Sequence, residues 1–352
     1  MSGAMPISKG SRGTPRIVVA PQAFKGSLSA MEAARAMQEG VRLVLPSAET
    51  VLLPVADGGD GTMEALVEEP GKSAFTAVLT LPRQVGNEGF PSPCMGKGQD
   101  GGEPSQRQLA HGSYFHATVT GPLGVPVQAS WGVMAGDTTA VIEMARASGL
   151  VLVPDAQRDP RTTTTFGTGE LIRHAMDEGY RHLIVGIGGS ATNDGGAGMA
   201  QALGVHLLDV DGKELEPGGA ALARLAHINI SEMDPRIKEC RVEVATDVSN
   251  PMCGPQGASA IYGPQKGASP QIVQELDQAL FHYAEVAHRQ LGTKIRDVPG
   301  AGAAGGLGGG LMAFLDATLR SGVDVVCDAV GLDGHLEGAH LVATGEGCID
   351  QQ

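Results

Sequence analysis

Two apolar runs near the start of the chain follow one plan. Arg16-Ile-Val-Val-Ala20 reads as a strand, and after the loop Pro21 to Leu28 the spacing of Ser29 and Glu32 predicts a capping box that opens a helix to about Leu45. A second run, Thr50 to Val55, predicts a strand ending in Ala56-Asp-Gly-Gly-Asp-Gly61, with a helix starting near Thr62. Strand, loop and helix twice over, with apolar strands, predict a parallel α/β layer covered on both faces. Ligands of such sheets sit beyond the carboxyl ends of the strands, where Lys25, Asp57 and Asp60 fall.

The texture changes near residue 73. Alternating runs at 73–81, 114–120 and 125–134 predict strands of a mixed sheet. Residues 84–113 hold Gly, Pro, Ser, Gln and charge with almost no apolar period, which predicts a disordered surface insertion. A helix from about Thr168 to Glu178 and a strand from His182 to Val185 lead into the Gly-rich segment 186–198, and a hairpin-like turn follows at 209–213. Ser269-Pro270 supplies an N-cap and an N1 proline for a long helix to about Leu291, with Ile272, Leu276, Leu280 and Tyr283 on one stripe. A second Gly-rich segment, Pro299 to Gly310, opens a helix expected to reach about Arg320. His340 to Thr344 is a last apolar strand, followed by Gly345-Glu-Gly-Cys-Ile-Asp350.

Composition narrows the classes. With 352 residues the chain has length for about two domains. Its 52 glycines lack a Gly-X-Y period, and 42% apolar residues are too many for disorder. A net charge of −14, with one Trp, four Tyr and seven Phe, offers neither a basic face nor a stacking platform for nucleic acid. Five scattered Cys without a CxxC pair fit free thiols in a reducing compartment. No apolar run is long enough to span a membrane, residues 1–14 read as a disordered leader, and the cytoplasm is the expected location.

The glycine loops carry the candidate chemistry. The ordinary P-loop pattern GxxxxGK[ST] is absent, but two GxGxx(G/A) matches occur. The first, Gly186, Gly188 and Ala191 with Asp209 further on, imitates a dinucleotide fingerprint and makes a nicotinamide oxidoreductase one reading. A helix should then open at Ala191, whereas Thr192-Asn-Asp-Gly-Gly196 is a poor helix start and instead aims Asn193 and Asp194 at a ligand. The second match, Gly300, Gly302 and Gly305, follows a Pro-broken polar segment and places backbone amides at a helix N-terminus suited to phosphate. A nucleotide-phosphate site therefore ranks above a nicotinamide site. Asp247, after the strand-like Val242 to Ala245, is the leading general base.

Eight segments in order carry a resemblance. They are Ala20-Pro-Gln-Ala-Phe-Lys-Gly-Ser-Leu-Ser-Ala30, Pro54-Val-Ala-Asp-Gly-Gly-Asp-Gly-Thr62, Val119-Thr-Gly-Pro-Leu-Gly124, Gly188-Gly-Ser-Ala-Thr-Asn-Asp-Gly-Gly196, Asp247-Val-Ser-Asn-Pro251, Gly263-Pro-Gln-Lys-Gly267, 299–306 and Thr344-Gly-Glu-Gly347. From about residue 15 onward, interrupted by 84–113, the chain resembles the bacterial-type glycerate kinase family, which lacks a P-loop. The resemblance implies transfer of the ATP γ-phosphate to D-glycerate on Mg²⁺, giving 2- or 3-phosphoglycerate. It implies two α/β domains with the site between them. One is a Rossmann-like, three-layer, parallel-sheet domain built from both chain ends (15–72 and 262–352), and the other is an inserted α/β domain (73–261) with a mixed sheet.

On this reading Asp247, Lys25 and Asp194 are catalytic, while Gly300, Gly302, Gly305, Gly306 and Lys266 hold the nucleotide. Asp57, Ser190 and Asn193 meet the substrate, and Glu346 and Asp350 bind Mg²⁺ through oxygen. A homodimer is one possible assembly, which the sequence does not decide. Departures are Gln22-Ala23 where the family usually has Asp-Ser, Thr246 where it has Cys, and Cys348-Ile349 where it has Arg-Leu. The family also continues beyond the last motif. The alternative is a truncated, inactive or non-catalytic paralogue that binds small hydroxy acids.

Overall fold

The structure is a computed structural model and describes residues 14–24, 27–59, 61–67, 112–134, 136 and 138–347. The expected strand at 73–81, nearly all of the expected leader and of the 84–113 insertion, and Lys25, Asp60 and Asp350 lie outside the described residues.

Two parallel arrangements organise the chain. In the smaller sheet β1 (Arg16–Val19) lies between β2 (Glu49–Leu52) and a strand from the far end of the sequence, Leu341–Ala343, both parallel to it. The two ends of the chain thus share one sheet. The larger sheet begins as an antiparallel hairpin, β3 (Ser113–Thr120) with β4 (Pro126–Val133). β5 (Thr139–Glu143) runs antiparallel to β4 and parallel to β6 (His182–Gly186). A minor antiparallel pair, β7 (His206–Leu208) and β8 (His227–Asn229), precedes β9 (Arg241–Ala245). β10 (Thr318–Arg320) completes the large sheet, in the order β10-β9-β6-β5-β4-β3, and β11 is the Leu341–Ala343 strand. The mixed sheet expected from the alternating runs is present.

Ten helices connect these strands among the described residues. α1 (Ala30–Val44) starts from the expected capping box: the Glu32 amide donates to Ser29 Oγ at 3.2 Å, and the Ser29 amide donates to the Glu32 carboxylate at 2.8 Å. α2 (Thr62–Val67), α3 (Ala145–Ser148), α4 (Phe166–Asp177), α5 (Ala197–Ala202) and α6 (Ala258–Tyr262) follow. α7 (Pro270–Leu291) is capped by Ser269 as its sequence predicts, and α8 (Ala303–Leu315), α9 (Gly322–Ala329) and α10 (Leu332–Leu336) complete the set.

Residues 262–320, expected with the smaller sheet, pack instead on the larger one. Leu280 and Tyr283 of α7 and Leu307 and Leu311 of α8 share a buried cluster with Trp131, Leu183 and Val244. The apolar stripe of a helix fixes which face is buried but not which sheet it covers. The helix expected to run to Arg320 stops at Leu315, Asp316 takes a left-handed φ of 52°, and the chain turns into β10. Three residues of strand are too short to show a period of two.

A second cluster joins the sheets. Val18, Leu53 and Met63 pack with Val141, Ile184, Ala245 and Val326, so α2 and α9 fill the layer between the small sheet and one face of the large one. Each large side chain fully buried there contributes about 1.5–3 kcal/mol. An ionic contact reinforces the seam. Glu143, 2% exposed at the end of β5, accepts from the amides of Gly61 and Met63 at 3.0 Å each, capping α2 across the interface. Arg146 donates to the other Glu143 oxygen at 2.9 Å and pairs with Glu64 of α2.

Candidate active site

The carboxyl ends of β2, β6 and β9 lead into loops that meet at a cleft of about 340 Å³. Asp57, Gly58 and Gly59 come from the first loop, Gly188, Gly189 and Ser190 from the second, and Thr246, Asp247 and Val248 from the third. Tyr262, Gln265, Ala303 and Ala304 close it. This is the position at which parallel sheets bind ligands, and the size suits a small molecule.

Two backbones touch at the floor. Gly58 has φ of 86°, and a Cβ there would lie 2.5 Å from the Ala245 carbonyl oxygen; one on Gly188 would lie 2.6 Å from the Gly59 Cα. Glycine is required at both positions because main chain packs directly on main chain. The Glu143 cap holds the same turn from behind.

Asp57 and Asp247 both face the cleft. Asp57 Oδ1 accepts from the Gly59 amide at 3.0 Å, which fixes the turn. Asp247 is exposed, and its Oδ1 accepts from Ser321 Oγ at 2.8 Å and the Gly322 amide at 2.9 Å, at the start of α9. Those contacts fall on one oxygen and fix the carboxylate just beyond the end of β9. The general-base candidate therefore reaches the cleft.

Asp194 and Asn193 do not. The polar tip expected to point at a ligand folds inward, and both side chains are fully buried. Asp194 Oδ2 accepts from the Thr165 amide and Thr165 Oγ1, at 2.8 Å each, and from the Gly198 amide at 3.3 Å, while Oδ1 accepts from the Gly196 amide at 3.2 Å. The carboxylate ties the loop to the start of α4, although burial still pushes its pKa up. Asn193 Nδ2 donates to Ser259 Oγ at 2.9 Å. Asn193 Oδ1 and Thr192 Oγ1 are buried without a partner. A Gly-rich polar loop reads the same in sequence whether it addresses a ligand or turns its side chains into the interior.

Lys266 is also below the surface. Its side chain is 1% exposed, and Nζ donates to Ser190 Oγ and to the Thr192 carbonyl oxygen at 2.7 Å each. Burial pushes the amine down to about 7, against the pull of the Asp194 charge. It is not a free cation reaching for phosphate. Ser190 lies between Lys266 and the cleft, where the sequence places a substrate contact.

The glycines of the second GxGxxG match serve packing. Gly300, Gly302, Gly305 and Gly306 are buried, and a Cβ on Gly305 (φ 71°) would lie 2.0 Å from the Thr192 carbonyl oxygen. Residues 304–306 are left-handed, so regular helix starts only at Leu307, and it is Ala303 and Ala304 that border the cleft. At the first match the helix begins at Ala197 rather than Ala191, so no helix N-terminus is offered to a dinucleotide pyrophosphate there. Tyr262, whose hydroxyl donates to Asn250 Oδ1 at 2.6 Å, and Gln265 are cleft residues not picked out from sequence, although Gln265 lies within the 263–267 motif.

Glu346 is exposed after β11 and is not among the cleft residues. Among the described residues no group of three His, Cys, Asp or Glu side chains forms a metal cage. Mg²⁺ does not need one, since it binds through one or two carboxylates together with phosphate oxygens and water. Asp57 and Asp247, both oxygen donors on the cleft, fit that requirement. Among the described residues no helix is long and apolar enough to cross a membrane.

The fold and cleft define an α/β enzyme whose site is built from strand-end loops for a small ligand. The glycerate kinase family matches residues 17–88 and 95–352. A glycerate 2-kinase of Escherichia coli (strain K12) and a glycerate kinase of Bacillus subtilis (strain 168) are each 48% identical over 337 residues, covering 96% of this chain and 78% of the relative. A crystal structure assigned as glycerate kinase 2 of Salmonella typhimurium LT2 superposes with a TM-score of 0.80 at 46% identity, covering 96% of this chain and 80% of that one. The chain belongs to the glycerate kinase family, and its reaction class is phosphotransfer with a nucleotide.

Proposed function

We propose that the chain transfers the γ-phosphate of ATP to a hydroxyl of D-glycerate in the cleft between the two sheets. The observation that carries the reading is Asp247, an exposed carboxylate that lines the cleft and is held through one oxygen by Ser321 and Gly322. Phosphoryl transfer rests on positioning and charge, with a base to receive the hydroxyl proton. Asp247 takes that role. Asp57 is the carboxylate that would hold Mg²⁺, which when bound neutralises charge on the transferred phosphoryl group. The backbone amides of Gly189 and Ser190, on the cleft wall, suit an anionic oxygen, while that of Gly188 donates to the Gly58 carbonyl oxygen.

The E. coli relative's name favours 2-phosphoglycerate over 3-phosphoglycerate as the product. Release of ADP from Mg²⁺-ATP and D-glycerate, with the phosphorylated carbon read by ³¹P–¹H NMR coupling, tests both statements. A folded protein that releases no ADP with D-glycerate would overturn the kinase reading. Calorimetric binding of glycerate without nucleotide would instead support the hydroxy-acid-binding alternative, which none of the comparisons favours. A cytoplasmic location and a homodimer complete the proposal, the latter checked by sedimentation.

A further inference from the structure

A lysine ammonium carries three donors and no acceptor. Lys266 Nζ spends one on the Thr192 carbonyl oxygen and one on Ser190 Oγ, both at 2.7 Å. Ser190 must therefore accept from the lysine, and its own hydroxyl hydrogen is left to point elsewhere. Ser190 is 8% exposed, and the space it borders is the cleft. A hydroxyl held in this way has spent one of its two lone pairs on the lysine and keeps its hydrogen free for whatever binds.

We propose that Lys266 is a positioning residue that presets Ser190 as a hydrogen-bond donor to an anionic oxygen of the bound ligand. The inference rests on the kinase reading only for the identity of that anion. A glycerate carboxylate and an ATP phosphate share the required chemistry. The lysine itself never meets the ligand, because it is sealed beneath Ser190 and Thr192.

The arrangement depends on the charge state of Lys266. A neutral amine has a lone pair and accepts from Ser190 Oγ, which then turns an oxygen lone pair toward the anion. Burial brings the amine to about 7, so this change falls near neutrality. The surrounding groups are few. Asp194, held by four donors on the 194–198 loop and at the start of α4, is the charge that acts on Lys266. Tyr283 of α7, buried near Asp194, stays neutral because burial pushes its phenol up. Arg158, whose carbonyl packs beside Gly267, has its guanidinium paired with Asp155.

The test compares wild type, Lys266→Met and Ser190→Ala as full chains from pH 6 to pH 8.5. KM is measured separately for D-glycerate and for ATP, and calorimetric Kd values for the same two ligands are taken in parallel. In wild type, KM and Kd for one ligand rise about tenfold across this range, the worth of one hydrogen bond to a charged group. In Lys266→Met and in Ser190→Ala they are already raised at pH 6 and do not respond to pH. The ligand that responds identifies the anion. If Ser190→Ala keeps the wild-type pH profile for both ligands, the proposal is wrong, and this holds even if Lys266→Met fails to fold. Turnover with pH-independent KM and Kd in wild type sinks this inference and leaves the kinase reading intact. Absence of turnover with pH-dependent binding does the reverse.

Discussion

Asp194→Asn separates a loop-building carboxylate from a chemical one. The aspartate accepts four hydrogen bonds, three on Oδ2 and one on Oδ1. A carboxamide has a single acceptor oxygen. In its better orientation that oxygen takes the Oδ2 place and keeps three donors, while the NH₂ group faces the Gly196 amide hydrogen. One buried donor pair is then unsatisfied, at about 1–3 kcal/mol. The three retained bonds lose their charge assistance, about 1 kcal/mol each. Relief of the buried charge, seen in the upward push on the Asp194 pKa, offsets part of this. The expected net loss is about 2–4 kcal/mol. Urea denaturation followed by circular dichroism reads it as a lower midpoint at unchanged slope. Wild-type stability combined with abolished turnover would refute the reasoning and return Asp194 to the chemistry.

Three further outcomes follow from the geometry. Asp247→Asn should lower kcat by about 10²-fold or more without a loss of stability, and near-wild-type turnover removes its role as base. Gly305→Ala, which puts a methyl against the Thr192 carbonyl oxygen at a left-handed residue, should cost about 2–5 kcal/mol in denaturation; unchanged stability with a selective rise in the KM for ATP would instead make it a phosphate-binding glycine. Lys266 takes up its proton at about 7 when folded, against an ordinary 10.5, so between those values the unfolded chain binds the extra proton and stability rises with pH. The stability of wild type relative to Lys266→Met should therefore increase from pH 7 to pH 9 by up to about 2–3 kcal/mol, and a flat difference would contradict the burial argument.

Local grammar was readable in the chain. Ser29 with Glu32 and Ser269 with Pro270 announce helix starts because caps are short-range chemistry between residues two or three apart. Apolar runs announce strands, and turns such as 56–61 and 186–190 announce the loops at their ends. The ordered set of motifs pointed to the family. Asp57, Ser190 and Asp247, which those motifs single out, line the cleft.

What sequence could not settle is which way a polar side chain turns once the chain is packed. Asp194, Asn193 and Lys266 sit in motifs as polar and Gly-rich as those of the cleft, yet they point into the interior, where Thr165, Ser259 and Ser190 bond to them and only Asn193 Oδ1 among their bonding atoms is left without a partner. Gly305 looks like a phosphate glycine and is a packing glycine, because the loop that crowds it lies more than a hundred positions earlier. The assignment of α7, α8 and β10 to the large sheet is of the same kind. Caps, turns and periods are decided by neighbours along the chain. Burial, close backbone approach and the direction of a hydrogen bond are decided by partners that only the tertiary fold brings within reach.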